Sequence, residues 1–161
     1  MSVDEQKYDE ISEYLQNSKL AILNYVREDL APISRTMGSF ATDGFDLYFS
    51  TRKAAPKVAE ITRNPRVSFF FEHDGQAPSE WRSVLLIGDS SVAEGDERER
   101  GITLLSARNP RFRELAAKGD LTDTSIFKVN AREIEFLDRT KGNGFVQKLD
   151  QQAIQAARTS V

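Results

Sequence analysis

The chain contains no cysteine and a single histidine, His73, among its 161 residues. The first absence excludes a disulfide framework, a thiolate zinc site, an iron–sulfur cluster and a cysteine nucleophile. The second excludes a two-histidine acid–base pair and leaves no metal site expected. A basic excess is missing as well: 22 Lys and Arg against 25 Asp and Glu give a formal net charge of −3. Grip on a nucleic-acid backbone rests on clustered positive charge, so no nucleic-acid partner is expected. No apolar run approaches the ~20 residues needed to cross a bilayer. The polar start, Met1 to Lys7, lacks the apolar core of a secretory leader. A cytoplasmic protein with no membrane partner is therefore expected, and any hard chemistry must be borrowed from a cofactor.

What is present suffices for one core. Hydrophobic residues make up 39% of the chain and charged residues 29%, and the length fits a single domain over residues 1–161. Tyr8, Ile11, Tyr14 and Leu15 recur at helical spacing, with Asp4 as the expected N-cap and Asn17-Ser18 as the stop. From Leu20 the period changes to two. One strand runs to a turn at Arg27-Glu28-Asp29, and a second covers Ala31 to Phe40. Thr42-Asp43-Gly44 then turns the chain into a third, Phe45 to Thr51, completing an expected three-stranded meander. In the second strand Ile33, Arg35, Met37 and Ser39 share one face, and Ser34, Thr36, Gly38 and Phe40 the other.

A short helix follows from Lys53, with Pro56 in its first turn and Asn64-Pro65 at its end. Strands cover Val67–Glu72 and Trp81–Val92, the latter with Gly88 marking a bulge or a close backbone approach. A helix opens at the charged run from Glu94 and reaches Leu105, and another spans Arg111–Lys118. Final strands are expected at Ile126–Val129 and Ile134–Leu137, a flexible stretch at Lys141–Gly144 and a helix at Gln151–Arg158. About seven short strands with helices between them predict an α+β fold on a small antiparallel barrel with flanking helices.

The densest chemistry lies in Tyr48-Phe49-Ser50-Thr51-Arg52-Lys53-Ala54-Ala55-Pro56-Lys57. A strand ends in two hydroxyls, passes two cations and enters a helix whose first turn carries a third. Open N–H groups and the positive dipole at that helix start, with Ser50, Thr51 and Lys57, form a phosphate-sized anion site. The alternative is an ordinary solvated turn. Arg35 either completes that site or pairs with a carboxylate such as Asp46 or Glu72. If the second strand pairs with the third through the turn at 42–44, Arg35 lies beside Ser50 and Thr51. His73 reads as a surface turn residue and Trp81 as a core or interface aromatic. Asp96 to Arg100 reads as an exposed helix start, and Arg108 and Arg111 around Asn109-Pro110 as solvated surface, with contact to an anionic ligand as the alternative.

In chain order, Pro32-Ile-Ser-Arg35-Thr-Met37, a hairpin, Leu47-Tyr-Phe-Ser50-Thr51, the Lys57 helix and Asn64-Pro65-Arg-Val-Ser-Phe-Phe70 form one half of a pattern. Val84-Leu-Leu-Ile-Gly88, a loop-helix insertion and a closing hairpin over Phe127–Leu137 form the other. The whole, over residues 15–140, resembles the pyridoxamine 5′-phosphate oxidase-like, FMN-binding split-barrel family. The resemblance implies a split β-barrel homodimer holding one FMN per subunit in a groove at the subunit boundary. Arg35, Thr51 and Lys57 match the phosphate-binding positions, with Ser50 as their neighbour. Thr36 and Met37 match the strand whose backbone lies against the isoalloxazine ring, and Ser83 a polar position at the ring's hydrogen-bonding edge. By side chain, Met37 and Phe69–Phe71 are expected in the core.

Two departures stand out. The second cation that true pyridoxamine-phosphate oxidases carry five positions after the matching arginine is Phe40 here. Their C-terminal substrate-binding segment, with its Arg and His, has no counterpart in 145–161. The resemblance is thus to a general FMN-binding member. It implies an oxidoreductase passing hydride or electrons through FMN, from a donor such as NAD(P)H to a small-molecule substrate or electron acceptor, with no catalytic residue assigned. A non-catalytic carrier, buffer or sensor of flavin or haem is a second reading. A small-barrel oligonucleotide binder is a third, which the net charge of −3 opposes.

Overall fold

The alternation of apolar and polar residues from Ala21 onward becomes one curled antiparallel sheet in the computed structural model, which describes residues 3–159. The elements are α1 (Val3–Gln16), β1 (Ala21–Val26), β2 (Pro32–Met37), β3 (Phe40–Asp43), β4 (Asp46–Arg52), α2 (Pro56–Arg63) and β5 (Arg66–Glu72). They continue with β6 (Arg82–Val92), α3 (Gly95–Arg108), α4 (Pro110–Ala117), β7 (Thr124–Asp138), β8 (Val146–Leu149) and α5 (Gln151–Thr159). The strand order is β2-β1-β5-β6-β7-β4-β3, with β8 also paired to β7. This is the expected α+β split barrel with flanking helices.

The core follows from the register. Leu23 lies opposite Phe69, Phe69 opposite Leu86 and Leu86 opposite Ile134, a row fully buried across four strands. Phe49 stacks on Phe127 at 5.1 Å and tilts against Phe69 at 5.4 Å. Helix α1 lays Ile11, Tyr14 and Leu15 against this face, and α5 adds Ile154. Each such side chain contributes roughly 1.5–3 kcal/mol on leaving water. On the opposite face of β4 and β7, Tyr48 and Ile126 pack under Leu105 of α3 and Phe112 of α4.

The sequence reading needs four corrections here. The run Ala31–Phe40 is not one strand: the chain leaves β2 at Met37, crosses Gly38-Ser39 and re-enters as β3 at Phe40. That break resets the alternation, so Phe40 turns inward, edge-on to Phe71 at 5.6 Å. Nor do the early strands form a meander. Hairpins β1–β2 and β3–β4 form separately, and β2 and β3 sit at opposite ends of the strand order.

The two final strands are one, β7, which changes partner along its length: its first half pairs with β4 and its second with β8. The closing hairpin over Phe127–Leu137 is therefore a single extended strand, and the stretch after Lys141 leads into a further one. Finally, the first helix already runs from Val3, so Asp4 falls within it, and the side chain of Asp4 lies outside the described residues.

Gly88 meets its expectation in an instructive way. The register shift pairs Ile87 with Glu133 but Gly88 with Ala131, leaving Arg132 as the extra residue on β7. A Cβ on Gly88 would stand 2.4 Å from the Asn130 carbonyl oxygen and 2.8 Å from Val129 Cγ1. Backbone cannot give way as a side-chain tip can. Gly88→Ala is expected to lower unfolding free energy by about 1–3 kcal/mol, read as a lower urea midpoint at unchanged slope.

Candidate functional site

Pro56 starts α2 without losing a hydrogen bond, and Ala55 before it offers no side chain to cap the first turn. This turn presents Lys57, whose Nζ lies 3.5 Å from Met37 Sδ. Burial is the main cause holding the Lys57 ammonium below its ordinary pKa of 10.5, and the nearby positive charge of Arg35 adds to it. Arg35 itself is exposed and donates to the Ser34 carbonyl at 3.0 Å. The carboxylates suggested for it are committed elsewhere. Asp46 faces Arg158 at 2.8 Å, and Glu72 accepts from Trp81 Nε1 at 2.9 Å. Among the described residues, neither Arg35 nor Lys57 forms an ion pair.

Strand pairing does not set Ser50 and Thr51 beside Arg35 as expected. The strand bearing Arg35 does not pair with theirs; the Gly38-Ser39 link joins the two ends of the curled sheet. The Ser50 amide donates to the Ser39 carbonyl at 3.1 Å, and the two serine hydroxyls share a short hydrogen bond. Ser50 is 8% exposed and shares the Tyr48 face beneath α3 and α4, while Thr51 turns the other way. Both line a cleft of about 440 Å³ with Gly38, Ser39, Arg52 and Arg111.

The remaining matched positions do not join this cluster. Met37 is 5% exposed and points inward, as expected of a core side chain. Thr36 alternates to the outer face, in register with Ile22, Phe70 and Leu85. Ser83, 8% exposed, lies on β6 opposite Glu72 and Leu137, beyond both β1 and β5 from the Arg35 strand. Arg35, Met37 and Lys57 thus form one group, Ser50 and Thr51 a second at the cleft, and Thr36 and Ser83 stand on the outer sheet surface.

Arg111 is the cleft residue that the sequence reading left as surface. Asn109 caps α4, its side chain accepting from the Arg111 and Phe112 amides, and Pro110 follows at the first helical position. That start sets Arg111 over the cleft while Phe112 is buried beneath. The Asn109-Pro110 pair was the available signal. Arg108 is not free surface either. Its guanidinium lies 4.2 Å from the Phe40 ring centre, and it donates to the carbonyls of Gln16 and Ser18, holding the end of α1.

His73 is likewise more than a turn residue. Its ring stacks on Tyr14 at 3.7 Å, and Nε2 lies 2.9 Å from the Tyr14 carbonyl oxygen and 3.0 Å from Ser18 Oγ. Trp81 is half-buried just before β6, outside the core.

The comparisons with known proteins agree with this architecture. The family model described as pyridoxamine 5′-phosphate oxidase matches residues 8–138. No curated protein matches the chain. Among solved structures, a haem-binding protein from Mycobacterium smegmatis superposes with a TM-score of 0.76 at 14% identity, over 97% of this chain and 61% of that one. A Clostridium acetobutylicum protein related to general stress protein 26 of Bacillus subtilis, of the pyridoxinephosphate oxidase family, gives 0.71 at 16% identity, over 94% and 99%. HutZ, the haem storage protein from Vibrio cholerae, gives 0.64 at 18% identity, over 81% and 92%. At such identities these structures share the fold, and the chain spans only 61% of the length of the first. No helix among the described residues is long and apolar enough to cross a membrane. With the family model matching residues 8–138, most of the chain, this chain belongs to the pyridoxamine 5′-phosphate oxidase family.

Proposed function

We propose that the chain binds FMN and serves as an oxidoreductase, passing hydride or electrons from a donor such as NAD(P)H to a small acceptor. One observation carries the cofactor choice: Lys57 and Arg35 lie near enough to repel, Lys57 is partly desolvated, and no carboxylate neutralises either among the described residues. Two such cations beside an uncapped helix start suit a phosphate monoester. Thr51 and Ser50, which line the cleft apart from these cations, are assigned as further donors by the family resemblance alone. Bound FMN would supply the redox chemistry, and the protein orientation and electrostatics.

Thr36 and Ser83 on the outer sheet surface are assigned to the ring side of the groove, with the backbone of Met37 beside them. The same surface carries Ile22, Phe70 and Leu85 in one row, with Leu20 and Val146 exposed nearby. An apolar strip of this kind supports a homodimer with the groove at its boundary.

A haem carrier or store, after the printed names of two structural neighbours, is the second reading. It has less support from the residues. Cysteine is absent, and the one histidine has Nε2 within hydrogen-bond range of Ser18 and Tyr14.

An absorption spectrum of the purified protein, with mass identification of what denaturation releases, tests the choice. Released FMN supports the reading; haem, or no ligand taken up from excess FMN, refutes it. Sedimentation of the loaded protein should give a dimer. The pH dependence of FMN affinity follows from Lys57. Phosphate favours the charged ammonium, whose pKa is depressed below 10.5 in the free protein. Affinity should therefore fall as pH rises through that lowered value, earlier than an ordinary lysine would give. Riboflavin, lacking phosphate, should show no such fall when both are titrated by fluorescence.

A further inference from the structure

We infer that Asn143 is a site of spontaneous covalent modification, where the chain converts its own carboxamide to a carboxylate and yields aspartyl and isoaspartyl forms. Asn143 is exposed in the turn between β7 and β8, and Gly144 follows it at φ +76°. The Phe145 amide closes that turn on the Gly142 carbonyl at 3.1 Å. Among the described residues the Asn143 carboxamide has no hydrogen-bond partner and the Gly144 N–H no acceptor. A Cβ on Gly144 would meet nothing within 4 Å, so the space around the two reacting groups is open. The reaction needs no partner and no cofactor. The Gly144 backbone nitrogen, giving up its proton, bonds to Asn143 Cγ, and the side-chain nitrogen leaves as ammonia. The five-membered imide then takes up one water. Opening at one carbonyl leaves an aspartyl residue; opening at the other leaves an isoaspartyl residue, whose main chain runs through the former side-chain carbonyl carbon.

Access to the following amide decides which asparagine reacts, and the six in this chain differ sharply. Asn64 and Asn109 precede prolines, which have no N–H to lose. The Ser18 amide after Asn17 is spent on the Leu15 carbonyl at 3.2 Å. Asn24 and Asn130 are held extended in strands, with the next residues in register, Tyr25 opposite Ile33 and Ala131 opposite Gly88. Asn143 alone combines a free carboxamide with a free following amide. Glycine at 144 also omits the Cβ that would crowd the closing ring and holds the left-handed conformation without strain. The consequence falls on β8. Phe145 fixes the start of that strand from both sides, its amide on Gly142 and its carbonyl accepting from the Asp138 amide at 3.1 Å. An isoaspartyl link lengthens the main chain inside this turn, and β8 is four residues long with β7 as its one partner. The modification therefore loosens β8.

Ageing the purified protein in mildly alkaline buffer, with samples taken over time, tests this. Peptide mapping by mass spectrometry should show the amide-to-acid mass change in the peptide carrying position 143 before any other. Protein-isoaspartate methyltransferase should transfer labelled methyl groups to that same peptide. Both signals should build up faster as pH rises, because hydroxide draws off the Gly144 proton. Asn143→Gln should remove both signals while leaving the urea midpoint unchanged. In the aged protein, amide hydrogen exchange across Val146–Leu149 should be faster than in the fresh protein. The urea-unfolded chain, aged in parallel, serves as the positive control. The inference is overturned if the folded protein stays unmodified while the unfolded chain reacts, if another asparagine reacts first, or if the signals persist in Asn143→Gln. Unchanged exchange in the isoaspartyl fraction would overturn the effect on β8.

Discussion

The double variant Arg35→Ala/Lys57→Ala is expected to lose FMN affinity at least ~100-fold while riboflavin affinity stays within about threefold. A hydrogen bond to an ionised group is worth about 1.5–3 kcal/mol, and two are removed. Arg35 is exposed, so water screens its share and the lower end of that range applies to it. The two effects should not add simply. Burial first, and the charge of Arg35 second, hold the Lys57 ammonium below its ordinary pKa, and a bound phosphate offsets both. Removing either cation alone also removes the strain that binding would relieve, so a double-mutant cycle should return a nonzero coupling. Fluorescence titrations of the parent, both single variants and the double variant with each flavin measure all of this. Equal losses for FMN and riboflavin would show that these residues do not read the phosphate.

Phe49→Ala should cost about 3–5 kcal/mol of folding free energy. The side chain is fully buried, stacked on Phe127 and against Phe69. Its removal opens a cavity between strands that cannot close without bending β4 or β7. Domains of this kind are stable by roughly 5–15 kcal/mol in total, so this one change removes about a fifth or more. The same strand carries Ser50 and Thr51 one and two residues on, and the loss should reach the site as well. FMN at ~100 times its dissociation constant would restore about 2.7 kcal/mol by mass action. The variant should therefore show a much lower urea midpoint without cofactor and partial recovery with it. A loss under about 1 kcal/mol would mean that the stack does not hold β4 in place.

Where local pattern set the structure, it could be read from the chain. The spacing of Ile11, Tyr14 and Leu15 gave the face of α1, Pro56 the start of α2, and Gly88 its close approach to the Asn130 backbone. What escaped was decided by partners distant in the chain. Gly38-Ser39 carries no strong break signal, yet it is where the chain passes from one end of the sheet to the other. Asn130 to Arg132 lies between the two final strands expected from the sequence, but the strand runs on through a bulge opposite Gly88.

The site divides in the same way. Lys57 and its neighbourhood could be located because a helix start has a local signature. Arg111 could not, because its position depends on how α3 and α4 fold back over β4. His73 was misplaced because nothing in its own neighbourhood announces Tyr14, 59 residues earlier.

The placement of β2 and β3 at opposite ends of the strand order also bears on how the chain reaches its native state. Its two early hairpins can assemble from nearby residues, but Leu23 must find Phe69, and Ser50 must find Ile126, before the sheet exists. Loop-closure entropy is lost before those distant contacts give anything back. Such topologies belong among the slower-folding single domains, in the millisecond-to-second range.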